Sequence, residues 1–420
     1  MASSAATQSA DIVSVAELSR RSSLAGKRVA MVTFSPYPFD PRPRRAVDAL
    51  VKEGMSVDLV CLADEEGPWR ESLHGVEVLR VPLKRNRGGK FAYAYQYSAF
   101  ILLSSAIMAL RSLSRRYHLV YVHNMPDILV VTALIPKAFG AKVIIDLHDP
   151  MPELMTTIFE ASPESWSVRL LRHLEKWSLK RADLVLTVNI ACKRIFASRS
   201  CNAEKIDVVM NSPDERIFPF CAPASHVSTK ARHERFVIMY HGSIVERNGL
   251  DLAVDALAHV RENFPAAELW IYGSPTSFVE RVLETARGKG LGQAVHYFGR
   301  TRLEDIAQAV KNCDVGVIPN QRNPFTEINT PVRIFEYLAL GKPVVAPRTP
   351  GIQDYFDKES LLFFEPGDSK DLAQQIMRVF ARPREVAGIV GRGQRVYQAH
   401  TWEQERDTLL HRVTELLNVR

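Results

Sequence analysis

Cysteine is scarce in this chain: five among 420 residues, with no Cys-x-x-Cys pair and no Cys/His ligand spacing. Cys61, Cys192, Cys201, Cys221 and Cys313 therefore supply neither a disulfide framework nor a zinc site, and their odd number suits a reducing compartment. No basic run followed by an apolar core opens the chain. The first 26 residues, rich in Ala and Ser, are expected to form a loose tail and not a signal peptide, so a cytoplasmic location is expected. No internal repeat is evident. No Gly-x-Gly-x-x-Gly follows the first strand-like segment, which argues against a dinucleotide oxidoreductase. Positive charge is in excess (net +7) but not gathered in one tract. That balance favours an anionic partner, a nucleotide sugar or a lipid headgroup, and disfavours nucleic acid.

Charge is missing altogether from residues 91–110, a run long enough to span a bilayer. Gln96, Ser98, Ser104 and Ser105 interrupt it. Basic residues flank both ends, Lys84, Arg85, Arg87 and Lys90 before and Arg111, Arg115 and Arg116 after, so no orientation signal results. The expectation is a helix packed on a sheet, with one face able to meet a membrane surface.

What is present is ordinary for a globular protein, and 420 residues are too many for one hydrophobic core. Apolar strand-like runs alternate with helical patterns at 27–34, 56–63, 75–81, 119–123, 142–147, 182–188 and 206–210. The pattern dissolves at 217–235 and resumes at 236–241, 269–272, 295–298, 314–319, 344–346 and 361–364. This predicts an α/β protein of two parallel-sheet domains facing one another. The division is a tail at 1–26, a first domain at 27–216, a linker at 217–235, a second domain at 236–400 and a terminal helix at 401–420.

Ligands of such sheets gather past the carboxyl ends of the strands, and three stretches there carry chemistry. Residues 36–45 turn through four prolines and hold Asp40, Arg42, Arg44 and Arg45, a candidate anion surface. His148 and Asp149 follow the 142–147 strand directly, with Glu153 within reach. Residues 329–343, Asn-Thr-Pro-Val-Arg-Ile-Phe-Glu-Tyr-Leu-Ala-Leu-Gly-Lys-Pro, read as a short marked helix. Thr330 is expected as N-cap with Pro331 at the first helical position, and Gly341 at the left-handed C′ position before Pro343. Such an N-terminus favours a phosphate, and Glu336 one turn further in can accept hydrogen bonds from vicinal hydroxyls.

Four stretches in order then carry a resemblance. They are Ala182-Asp-Leu-Val-Leu-Thr-Val, Lys205-Ile-Asp-Val-Val-Met-Asn with Asp214 and Phe218, Tyr240-His-Gly-Ser-Ile-Val-Glu-Arg-Asn-Gly, and Phe335-Glu-Tyr-Leu-Ala-Leu-Gly-Lys-Pro-Val-Val. From Lys27 on, the chain resembles the retaining glycosyltransferases of family 4, also called glycosyltransferase group 1. The resemblance implies the GT-B fold, two Rossmann-like domains across a cleft, with the C-terminal helix crossing back to the first domain. It implies transfer of a sugar from a UDP- or GDP-linked donor to a glycan or lipid-linked acceptor, in surface polysaccharide or glycolipid synthesis. Glu336 matches the glutamate that binds the donor ribose, and the N–H groups around Thr330, Pro331, Val332 and Arg333 match those that hold the diphosphate. His148 matches the histidine that closes on the donor sugar, and Asn211 with Asp214 matches a structural turn. The loop after Gly242 matches the one that usually supplies an arginine and a lysine.

Departures accompany the match. The first glutamate of the Glu-x7-Glu signature would fall at Ile328, where Glu327 stands one residue early. Ser243 and Asn248 occupy the usual cation positions, leaving Arg247 as the nearest positive charge with Arg333 as a second. The Pro/Arg segment with Asp40, Arg42 and Arg44, together with Asp149, is placed on the acceptor side. Metal-dependent transferases hold a cation through Asp-x-Asp, which is absent here, so neither metal nor cofactor is expected and the diphosphate charge falls on arginines and a helix N-terminus. Two other readings stay open: a GT-B nucleotide-sugar epimerase, and a nucleotide-sugar-binding protein without catalysis. Peripheral attachment to the inner membrane face is expected with a lipid-linked acceptor.

Overall fold

A computed structural model of the chain describes residues 23–63, 67–73, 75–83, 90–223 and 235–418. Tail residues 1–22, linker residues 224–234, the flanking cations Lys84, Arg85 and Arg87 and the side chain of Lys90 lie outside the described residues. Two sheets organise the fold. The first runs β3-β4-β2-β1-β5-β6-β7-β8, from β1 (Arg28–Pro36), β2 (Ser56–Leu62), β3 (Arg70–Leu73), β4 (Val76–Val81), β5 (Leu119–His123), β6 (Lys142–Leu147), β7 (Leu184–Thr187) and β8 (Ile206–Val208). The second runs β11-β10-β9-β12-β13-β14, from β9 (Phe236–His241), β10 (Ala267–Tyr272), β11 (Val295–Tyr297), β12 (Val315–Val317), β13 (Val344–Pro347) and β14 (Leu362–Phe364). The recorded pairings are parallel except β3 with β4. Central strands such as β1, β5 and β9 are buried along almost their whole length, which is why their sequences are continuous apolar runs without alternation. Strand β3 (Arg-Glu-Ser-Leu) lacks that signature and escapes the sequence reading; it pairs with β4 at the sheet edge.

The chain divides into two compact units. One comprises Met1–Asp146, Ser178–Val185 and Arg406–Arg420; the other comprises Leu147–Trp177 and Leu186–Glu405. This grouping assigns 147–177 and 186–216 to the second unit, where the sequence reading gives them to the first domain. The last helix, Trp402–Asn418, starts in the second unit and continues in the first. There Leu409, Leu410 and Val413 are buried, and Ser23 Oγ donates to Asn418 Oδ1 at 3.1 Å.

Within the first unit the charge-free run forms a helix, Lys90–Ser114, whose two faces differ. Phe100, Ser104, Met108 and Ser112 are buried, and Phe100 meets Phe34 of β1 edge-on at 5.1 Å. Arg111 and Arg115 fasten its end to Asp58 and Glu77. On the opposite face Tyr95, Leu102, Leu110 and Leu113 are 71, 70, 69 and 75 % exposed. By length and composition the segment Ala94–Ser114 could cross a membrane. One face packs on the sheet, and the opposite apolar face is uncovered.

Candidate functional site

In the second unit the chemistry-bearing residues collect past the carboxyl ends of β9 and β12. Strand β9 ends at His241, and Gly242 then takes φ +119°, a conformation that L side chains rarely adopt. The loop that follows is closed on itself. Tyr240 Oη and Asn248 Nδ2 both donate to the Ser243 carbonyl at 2.7 Å. Gly249 (φ +64°) ends the loop, and a Cβ there would stand 1.9 Å from the Pro319 carbonyl oxygen, so only glycine lets this loop lie against the one after β12. Asn248 thus shapes the loop through its side chain, while Ser243 keeps an exposed side chain. Arg247 is half-buried, its guanidinium 5.7 Å from the centroid of Phe325 and its carbonyl accepting from Gln321 N. Burial pulls its pKa down and the Asp149 carboxylate opposes that pull, so the two side chains sense each other.

The marked helix forms as Val332–Ala339, with Pro331 in the cap position. Thr330 is not its N-cap: Pro331 takes that position with no side-chain cap bond, and the Thr330 hydroxyl donates to the Gly351 carbonyl at 2.8 Å. At the other end the sequence signal is realised. Gly341 (φ +70°) donates to Leu338 O and Lys342 N to Tyr337 O, the double closure of a Schellman motif, while Cys221 N reaches Ala339 O and Gln394 Nε2 reaches Leu338 O. A short helix is held firmly because the carbonyls of Tyr337, Leu338 and Ala339 are all taken. Tyr337 lies flat on β12 where Gly316 leaves room, and its hydroxyl donates to Met239 O at 2.9 Å.

Two charged side chains of this helix are buried, Arg333 and Glu336. Arg333 passes under the glycine loop: its Nη1 donates to the His241 carbonyl at 2.6 Å, its Nη2 stands 3.5 Å from Asn320 Oδ1, and its guanidinium covers the Tyr240 ring at 5.0 Å. No carboxylate pairs with it or with Arg247 among the described residues. Glu336 Oε2 lies 3.4 Å from His241 Nε2. Burial and the Arg333 cation push His241 down to about 3, so the imidazole is neutral at ordinary pH. Glu327 sits in a turn capped by Asn323 Oδ1, which accepts from Phe325 N and Thr326 N; this turn brings its carboxylate to Arg322 Nε at 3.0 Å.

His148 and Asp149 follow β6 as expected and are both partly exposed. Glu153, in the first turn of helix Met151–Phe159, is instead a structural anchor: Arg199 clamps it at 2.6 and 2.9 Å and also holds the buried Glu175. Thr157 of the same helix donates to Asn323 Oδ1 at 3.2 Å, tying the helix after His148 to the Glu327 turn.

The arginine-rich segment belongs to the first unit, and from Pro41 on it is helix where the sequence reading has it turning through four prolines. It is the first turn of helix Pro41–Lys52, where Asp40 caps Arg42 N at 3.2 Å. Arg42 is buried, with Nε 3.0–3.1 Å and Nη2 2.5 Å from the Asp146 carboxylate, to which Tyr121 Oη also donates at 2.9 Å. Arg42 therefore cannot display its charge to an acceptor, whereas Arg44 is half-buried. Sequence reasoning missed His241 and Asn320; the carboxyl-end rule alone could have flagged both, since each follows or closes a strand of the second sheet.

Comparison with known proteins bears on the family and the fold. A family model described as "Glycosyl transferase 4-like domain" matches residues 39–212, and one described as "Glycosyl transferases group 1" matches residues 235–382. The chain is 23 % identical to the sulfoquinovosyl transferase SQD2 of Arabidopsis thaliana over 280 residues, 65 % of this chain and 51 % of that protein, so it spans about half of that relative's length. Among solved structures, sucrose-phosphate synthase of Thermosynechococcus elongatus superposes with a TM-score of 0.74 at 18 % identity, over 94 % of this chain and 100 % of that one. Anabaena Alr3699/HepE in complex with UDP superposes with a TM-score of 0.68 at 18 % identity, over 93 % and 100 %.

Proposed function

The chain belongs to the group 1, family 4-like glycosyltransferases and has the GT-B fold of two Rossmann-like parallel sheets; from that premise we propose that it moves a sugar from a UDP- or GDP-linked donor to a hydroxyl of a glycan or lipid-linked acceptor, with retention and without metal. One observation carries this reading. Arg333 is buried in the first turn of helix Val332–Ala339, Arg247 is half-buried in the loop after β9, and no carboxylate forms an ion pair with either among the described residues. A buried cation without a partner is costly, and a donor diphosphate supplies the missing charge. Glu336, one turn inside, accepts from the ribose hydroxyls.

In the reaction, the acceptor oxygen bonds to the anomeric carbon as the bond to the diphosphate oxygen breaks, and the acceptor proton passes to the departing diphosphate. Arg247, Arg333 and the helix N-terminus are arranged in advance for the charge that develops on that oxygen. His148 orients the donor sugar, with Asp149 towards the acceptor. Glu327, paired with Arg322, serves as a reserve contact to the sugar once that exposed arginine moves aside. Freedom from metal is supported by the lack of Asp-x-Asp in the sequence.

The exposed apolar face of helix Lys90–Ser114 supports peripheral attachment at the cytoplasmic membrane face and a part in surface polysaccharide or glycolipid synthesis. Vesicle flotation tests it: wild type rises with anionic vesicles, and Leu102→Glu with Leu110→Glu stays behind; equal flotation of the two contradicts it.

A panel of UDP- and GDP-sugars by thermal shift, followed by product analysis with EDTA present, tests the transfer itself. The expected result is one stabilising donor, a glycosylated acceptor, and loss of both with Glu336→Ala. An unchanged Glu336→Ala enzyme, or an epimerised donor with no acceptor product, overturns the proposal.

A further inference from the structure

His241 meets the two charged side chains of helix Val332–Ala339 through different atoms. Its carbonyl accepts from Arg333 Nη1 at 2.6 Å, while its ring leans on Tyr337 with centroids 5.1 Å apart and brings Nε2 within 3.4 Å of Glu336 Oε2. That nitrogen is buried and makes no hydrogen bond of good geometry in the structure. A buried donor is strongly disfavoured when it has no acceptor, and the carboxylate within reach is that of Glu336. A glutamate carboxylate rotates broadly about its last torsion, so burial alone does not decide which oxygen faces a ligand.

Resting on Glu336 as the ribose carboxylate, we infer that His241 is a positioning residue of the donor site: its Nε2–H donates to Glu336 Oε2 and leaves Oε1 aimed at the vicinal ribose hydroxyls. The contact shortens when ribose draws the carboxylate into register. Burial keeps the imidazole neutral, so it carries one N–H, and the tautomer with that proton on Nε2 fits the carboxylate. The backbone carbonyl of the same residue holds Arg333, so one strand end registers the ribose contact and the diphosphate contact together. Substituting the side chain removes the first and leaves the second.

The test measures how well the protein tells ribose from 2′-deoxyribose, using UDP, GDP and their 2′-deoxy forms in titration calorimetry. Wild type is expected to favour the ribose form of the diphosphate it binds by about tenfold, the worth of one hydrogen bond to a charged group. His241→Phe keeps ring volume against Tyr337 and lacks the N–H; its preference falls to about twofold, while its affinity for the deoxy form stays within about twofold of wild type. His241→Gln offers an amide N–H at similar reach and restores the preference.

A His241→Phe protein that keeps full discrimination, or that loses affinity for both forms equally, overturns the inference. So does a His241→Gln protein that loses discrimination, whether or not the phenylalanine variant folds. Glu336→Ala separates this from the donor reading. If it retains discrimination, the donor reading falls; if it loses discrimination while His241→Phe keeps it, only the role of His241 falls.

Discussion

Arg42 and Arg333 occupy equivalent places in the two sheets. Each is buried in the first turn of a helix that follows a parallel strand, where a positive side chain opposes the helix macrodipole. Their partners differ. Arg42 is gripped by the Asp146 carboxylate, with Tyr121 on the same group. Arg333 has a backbone carbonyl, an amide oxygen and an aromatic face. The difference teaches that position alone does not mark a ligand-binding arginine. A guanidinium already matched by a carboxylate belongs to the scaffold, and one buried without that match is left for an anion from outside.

The largest expected effect tests the scaffold side. Arg42→Ala leaves Asp146 buried without its cation and should destabilise by about 3–5 kcal/mol in urea unfolding; a variant as stable as wild type would break the comparison. Arg333→Ala and Arg247→Ala should behave in the opposite way. Transfer should fall by about 10²–10³ in kcat/KM, the loss seen when a preorganised donor to a developing oxyanion is removed. Stability should move by no more than about 1 kcal/mol, because no buried carboxylate is stranded. Equal losses of stability in all three variants would show that the two arginines do not differ in kind.

The smallest effect concerns pH. His241 binds a proton below about 3 in the folded chain, and its ordinary value is 6.5. Between those values the unfolded chain holds more protons, so stability is fully present above pH 6.5 and is lost as pH falls towards 3. Melting temperatures between pH 7 and 4.5 should therefore fall more steeply for wild type than for His241→Gln. Parallel curves would mean that the imidazole is not held neutral beside Arg333.

Much of the fold was legible because buried parallel strands leave uninterrupted apolar runs and the glycines mark forced turns. Gly341 closes its helix as its spacing promised, and Gly249 stands where no side chain could. What stayed hidden depends on partners distant in sequence. The spacing of Thr330 and Pro331 mimics a capped start, yet the hydroxyl goes to Gly351, twenty-one residues on. Arg42 looked like an open cation because Asp146, its partner, lies a hundred and four residues away. Glu153 looked chemical for the same reason, with Arg199 out of sight. His241 was passed over because an apolar strand seemed to end at the glycine after it. The one-residue offset of Glu327 was visible; the Asn323-capped turn that places it beside Arg322 was not.

The most direct measurement is the affinity of the protein for UDP and GDP against the matching nucleosides, in wild type, Arg247→Ala and Arg333→Ala, by titration calorimetry at fixed salt. The account predicts that wild type binds one diphosphate far more tightly than its nucleoside, and that each substitution removes at least about tenfold of that difference, as expected for a charge-assisted contact. A diphosphate bound no better than its nucleoside, or an advantage untouched by both substitutions, would contradict it.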